Sequence, residues 1–467
     1  MEPVEDKPSH YADYTKVFEL EMHERELGIP ITSVAFNKNG TLLAFAYGNK
    51  IRLYNKFNAI KAELSYIDLL GHKEGFAVTS LSFHPIFPFL LTGSEDSTAK
   101  LWRISEEPLS ARCIATTQLH QQHVNTDLPD GAVNSHGVLR SRNTPSPVLS
   151  VSFHPINPTF ITGSVSDTHV RLWRFDPSQE EHSVVEPAVV LSNSSARHDV
   201  YCVAFHPVKP FLASCSGKYA KLWNENLQEE PIIMEHPAAV RCVAFHPNPA
   251  AMILATGSND KLIRLWRFSP DNPKEADAAT CVATLTGHSK EISSLAFHPD
   301  PMKSILATCS LDKTIKLWHL SPSFEEAKCI TTLNEKDRDS NDTKRKFTSF
   351  AFYPNTQSPS FHLVTGSSIG NVDLWNVREK IAQTNMFLMR RELSNGIKPT
   401  TVAAFTSSKN KSKSSKSPKS SKSPKSSKSP KSSKSHRLPT HFKLNKGGKR
   451  RTLSNNRPHT RRRNYKP

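Results

Sequence analysis

Residues 292–318 read ISSLAFHPDPMKSILATCSLDKTIKLW. In TIKLW, Ile315 and Leu317 share one face while Lys316 and Trp318 share the other, the period of two that a β-strand imposes. The stretch divides into three short strands, broken by a His-Pro turn and by a turn built on Asp312. A fourth strand is expected just before the next unit, in CITTL from Cys329.

The same order recurs along the chain, from Val78, Val148, Val200, Val240 and Phe347, and in a shorter form from Ile31 that ends in Tyr54. Each of the six tryptophans, Trp102, Trp173, Trp223, Trp266, Trp318 and Trp375, closes one of these segments. The aromatic ends are spaced by 48, 71, 50, 43, 52 and 57 residues. A four-stranded unit of that size cannot bury both faces alone; it must stack on its neighbours, and a ring of such sheets leaves only short edges.

These residues resemble the WD-repeat family of β-propellers. Gly71–His72 and Gly287–His288 match the family's Gly-His pair, and Asp96, Asp167, Asp260 and Asp312 each stand six residues before a tryptophan. The resemblance implies a structural tetrad of His, Ser/Thr, Asp and Trp. It carries over to His72, Asp96 and Trp102, to His236, Asp260 and Trp266, and to His288, Asp312 and Trp318. The hydroxyl of the 292–318 unit is Thr308 or Ser310. No tryptophan is followed by Asp, two of the tryptophan-ended repeats lack the turn Asp, and the first repeat lacks the tryptophan. The fold expected is all-β, a seven-bladed propeller over residues 17–405, with an eighth blade or an extra closing strand as the alternative. VFELEM from Val17, IAQTNMFL from Ile381 and an echo of the repeat start at Gly396 are the candidates for closure.

Outside the ring the expectations are a flexible segment over 1–16, a long polar loop over 120–147 and a disordered basic tail over 406–467. The loop's His120, His123 and His136 have no carboxylate or cysteine partner at recognisable spacing, so no metal site is expected there. The net charge of +18 belongs to the tail: residues 407–467 hold 21 Lys and Arg and no Asp or Glu. Its repeats of Lys-Ser-Ser-Lys-Ser-Pro contain nothing apolar that could join a core. A flexible cationic chain neutralises phosphates and releases counterions, which points to nucleic acid or another polyanion. Lys446, Lys449, Arg450, Arg451, Arg461, Arg462 and Arg463 form the densest clusters and are similar to nuclear import signals. Ser417, Ser423 and Ser429 each precede Pro-Lys and look like proline-directed phosphorylation sites. A solubilising tail without a specific partner is the plain alternative.

No run approaches the roughly 18 apolar residues of a membrane span, and the opening MEPVEDKPSH lacks the apolar core of a secretory leader. The expectation is therefore a nuclear or cytoplasmic protein, neither secreted nor inserted in a membrane. The seven cysteines form no C-x-x-C pair, which argues against a disulfide framework or a zinc ribbon. No phosphate-cradling, nucleophile-elbow or H-E-x-x-H motif occurs. The five Phe-His-Pro histidines, His84, His154, His206, His246 and His298, recur once per repeat and read as structural. No enzyme and no cofactor is expected. The resemblance implies a protein-interaction scaffold that holds proteins or peptides on its rims. Two alternatives stand beside it. One is a nucleic-acid-binding protein with the ring as carrier. The other is a ubiquitin-ligase substrate adaptor, since WNVR at Trp375–Arg378 is like that family's Trp-Asp-x-Arg motif, with Asn376 in place of Asp.

Overall fold

The structure, a computed structural model, describes residues 12–20, 28–55, 65–117, 146–165, 169–178, 183–192, 199–224, 230–269, 278–334, 346–354 and 360–379. These residues form seven antiparallel sheets and no helix. Each sheet is one blade, with strands a to d running from the channel outward. Blade 6 is typical: Ile292–Phe297, Ile305–Ser310, Thr314–Leu320 and Ala327–Asn334 pair in that order. The inner strands are Ile31–Phe36, Val78–Phe83, Val148–Phe153, Val200–Phe205, Val240–Phe245, Ile292–Phe297 and Phe347–Phe352. Each packs against the inner strand of the next blade, and blade 7 packs against blade 1. The protein is a closed seven-bladed β-propeller.

Closure comes from the N-terminal side. Strand Ala12–Leu20 is the outermost strand of blade 7 and pairs with Val372–Glu379, from Ala12↔Glu379 to Leu20↔Val372. It contains residues 17–20 of the VFELEM stretch and begins ahead of residue 17. The segments from Ile381 and Gly396 lie outside the described residues, as do most of the 120–147 stretch and the whole of 406–467.

The core lies between the blades. The described residues form seven apolar clusters, each drawn from two consecutive blades. The first and fourth residues of every inner strand, such as Ile292 and Leu295 or Val78 and Leu81, are buried in these seams. A strict alternation would send positions one and four to opposite faces. All seven inner strands instead carry a register shift at their second residue, as between Val78 and Ser80 or Val240 and Cys242. That β-bulge restores burial of position four and leaves the second residue without a cross-strand partner.

The Phe-His-Pro turns pin the opposite face. In each, the histidine Nδ1 accepts backbone N–H groups of its own turn, as at His206 from Val208 at 3.2 Å and Lys209 at 2.8 Å. The rings of His84, His154, His206, His246 and His298 stand 4.9, 5.0, 5.1, 4.9 and 5.1 Å from Phe153, Phe205, Phe245, Phe297 and Phe352 of the next blade. Tyr353 takes the histidine's place at the closing seam, 5.3 Å from Phe36. One further feature departs from the repeat pattern: Ser183–Val185 pairs in parallel with Leu109–Thr117 and caps the outer edge of blade 2.

Candidate interaction surface

Every tryptophan indole donates to a hydroxyl on strand b of its own blade: Thr92, Thr162, Ser214, Thr256, Thr308 and Thr365 accept at 3.1, 2.9, 2.9, 3.0, 2.8 and 2.9 Å. Among the described residues, the chain of bonds continues to a carboxylate in two blades. His72 contacts Thr92 Oγ1 at 2.7 Å through Nε2 and Asp96 Oδ2 at 2.8 Å through Nδ1. His288 does the same with Thr308 at 2.9 Å and Asp312 at 2.8 Å. A carboxylate only accepts, so Nδ1 donates to it, and the threonine hydroxyl pairs with Nε2. Burial alone would raise the Asp96 and Asp312 carboxyls. The bonds from His72 and Thr98, and from His288 and Thr314, outweigh burial and hold both far below the usual carboxylate range. Thr308 is thus the hydroxyl of blade 6; Ser310 instead accepts the Asp312 amide and donates to Lys290 O.

Blade 5 departs from the expected set. His236 bonds Thr256 at 2.8 Å, and Trp266 donates to the same oxygen. The structure does not bring Asp260 to His236, whose Nδ1 lies 3.1 Å from Met234 O. Asp260 faces Arg264 at 2.7 Å instead. The cause is local. A Cβ at Gly71 would meet the Trp102 ring at 2.6 Å. Blade 5 has Glu235 at that position, so the chain continues as strand Ile232–Glu235 and the histidine approaches differently. Arg264, where blades 2 and 6 have Lys100 and Lys316, then takes the carboxylate. Blade 1 has neither Trp nor turn Asp. It buries Arg52 between Tyr47 and Tyr66, with two bonds of 2.8 Å to Asp68 and one of 3.0 Å to Tyr47. Asp167 lies outside the described residues.

These groups hold the scaffold together; the surface they carry lies at the mouth of the channel. The bulge residues of the seven inner strands, Thr32, Thr79, Leu149, Tyr201, Arg241, Ser293 and Thr348, converge there around a cavity of about 490 Å3. Four of the seven spend their hydroxyls inside the ring. Thr32, Thr79 and Thr348 donate to the carbonyls of Val78, Val148 and Ile31 on the neighbouring blade, and Ser293 donates to Cys309 O at 3.2 Å. The other three, Leu149, Tyr201 and Arg241, sit on consecutive blades and form one apolar and cationic sector. Arg241 stacks 4.1 Å from the Tyr201 ring centre and donates through Nε to Asn259 Oδ1 at 3.0 Å. Sequence reasoning missed this sector. Its signal is the second column of the aligned repeats, which reads T, T, L, Y, R, S, T in blade order.

Among the described residues no group of three His, Cys, Asp or Glu could hold a metal, and no helix is long and apolar enough to cross a membrane. All seven cysteines are free thiols. Ser417, Ser423, Ser429 and the Lys446–Arg463 clusters lie outside the described residues, as do His120, His123 and His136. Trp375 and Asn376 sit in strand c of blade 7, where Ala12–Leu20 pairs along them.

Comparison with known proteins agrees with this geometry. Residues 64–103, 137–174, 189–224, 229–267 and 279–319 match the WD40 family, described as WD domain, G-beta repeat. The chain is 28% identical over 307 residues to the nuclear distribution protein PAC1 of Gibberella zeae, covering 55% of this chain and 61% of that protein. It is 26% identical to PAC1 of Arthroderma otae, covering 57% and 63%. It is 31% identical to the nuclear distribution protein nudF of Aspergillus flavus, over 32% of each chain. The alignments thus span less than two thirds of these relatives' own length. Five stretches of this seven-bladed β-propeller thus match the WD40 repeat model.

Proposed function

We propose that this protein is a non-catalytic interaction scaffold that docks protein or peptide partners on the mouth of its channel. The observation that carries the reading is the Leu149–Tyr201–Arg241 sector. Four blades spend the hydroxyls of their bulge residues inside the ring, while these three consecutive blades give a cavity of about 490 Å3 its apolar and cationic lining, a volume that suits a side chain with its flanking backbone. The similar PAC1 and nudF proteins are named for nuclear distribution, and a role of that kind here would be exercised through partners held on the ring.

The basic tail adds a second, electrostatic contact with nucleic acid or another polyanion. Its support is compositional: 21 cationic side chains without one carboxylate in residues 407–467. Phosphorylation at Ser417, Ser423 and Ser429 would add roughly −4.5 to −6 of charge and weaken that contact.

The test is affinity purification of the full chain and of residues 1–406, both nuclease-treated. Partners that persist on 1–406 place docking on the ring. Partners that vanish with the tail or with nuclease would reduce the ring to a carrier and favour the nucleic-acid-binding alternative. For the tail, binding to a duplex oligonucleotide should weaken steeply with salt. An unchanged salt slope in a triple Ser→Asp variant would remove the phosphorylation proposal.

A further inference from the structure

We infer that the channel mouth recognises an acidic side chain of a peptide, with Arg241 as the carboxylate-binding residue and a basic neighbour in the peptide set against Glu291. The inference rests on the docking reading above and gives it a ligand chemistry.

Arg241 is half-buried and fixed in place from two sides. The Tyr201 face supports the guanidinium at 4.1 Å, and Asn259 occupies Nε at 3.0 Å. That leaves both terminal nitrogens, and among the described residues no carboxylate accepts from them. A guanidinium held by its Nε edge offers a planar pair of donors, the geometry that binds a carboxylate in two parallel bonds. Being positioned in advance, it loses little side-chain freedom on binding. Its position is set by the bulge of strand Val240–Phe245, which turns the second residue toward the channel. This is a costly arrangement for a residue whose only task is to cover a surface.

Glu291 lines the same cavity, half-buried, two residues before the bulge residue of blade 6. Its backbone carbonyl accepts the Leu311 amide, while among the described residues its carboxylate has no partner. One cation and one anion without an ionic partner among the described residues therefore line one cavity, which Leu149 and Leu311 line as well. A doubly charged phosphate would meet the Glu291 carboxylate. A single carboxylate followed closely by a Lys or Arg satisfies both groups. The favoured ligand is thus a peptide carrying an acidic residue and, within one or two positions, a basic one.

The test is panning of a random heptapeptide phage library on the full-length protein, followed by titration of the synthetic consensus peptide. Enriched clones are expected to share one Asp or Glu with Lys or Arg close by. Arg241→Gln should weaken the consensus peptide at least about tenfold, Arg241→Lys should weaken it less, and Glu291→Gln should weaken only peptides that carry the basic residue. Equal melting temperatures establish that the variants are folded. Enriched peptides that lack a shared acidic position, yet lose binding on Leu149→Asp, would overturn the carboxylate assignment and leave the docking reading standing. Peptides indifferent to every mouth substitution, or no enrichment at all, would overturn both.

Discussion

Replacing Thr308 by valine isolates the value of the hydrogen-bonded relay that ties blade 6 together. The two side chains have nearly the same shape, so no cavity opens, and the hydroxyl is the only loss. That hydroxyl accepts from the Trp318 indole at 2.8 Å and contacts His288 Nε2 at 2.9 Å, and Thr308 is fully buried. The change strands a buried N–H donor, at about 1–3 kcal/mol, and a buried imidazole nitrogen, at about 1 kcal/mol. The sum expected is about 2–4 kcal/mol. Ser310→Ala is the matched control. Its bonds to the Asp312 amide and to Lys290 O hold a turn, and the expected loss is about 1 kcal/mol. The assay is urea unfolding at pH 7.5 followed by tryptophan fluorescence. With a denaturant slope of about 4 kcal/mol per molar for a chain of this size, the midpoint should fall by about 0.5–1 M for Thr308→Val. A Thr308→Val midpoint within about 0.1 M of wild type, or a larger loss in Ser310→Ala, would refute the reasoning.

Three further outcomes are expected. Burial pushes His206, His236, His246 and His298 down to about 4 from 6.5. Their contribution is therefore intact above pH 6.5 and is lost as pH falls toward 4, because unfolding then takes up protons. Equal urea midpoints at pH 7.5 and pH 5 would contradict this. Arg52→Met leaves Asp68 without its cation; Asp68 is partly exposed, so the expected cost is about 2–3 kcal/mol, below the range for a fully buried pair, read as a thermal shift and absent if the pair is idle. Gly366→Ala places a methyl 2.4 Å from Ile31 Cγ2 at the closing seam, an overpacking that should cost about 1–3 kcal/mol, whereas Gly75→Ala, with open space around it, should cost only its backbone strain.

Much of this architecture was legible in the repeats because each unit states its own period, turns and closing aromatic. Closure was not, since Val17 and Ile381 both begin apolar alternations and only pairing with Val372–Glu379 distinguishes them. Thr308 and Ser310 lie two apart on one strand face, so no periodicity separates them; the distance to the indole does. Asp260 kept its interval to Trp266 but lost its histidine, because partner choice depended on Glu235 and Arg264 nearby in space. The channel sector was readable in principle. Its residues occupy one column of the repeat, and they matter because the bulge turns that column toward the channel while the column before it is buried.

Docking of partners at the channel mouth is probed by a Tyr201→Ala/Arg241→Ala double variant. Partners captured by this variant and by wild type, both full length and nuclease-treated, would be quantified against each other with isotopic labels. The ring-dependent partners should fall at least about tenfold while the melting temperature stays within a few degrees. A folded double variant that retains the wild-type partner set at wild-type levels would contradict it.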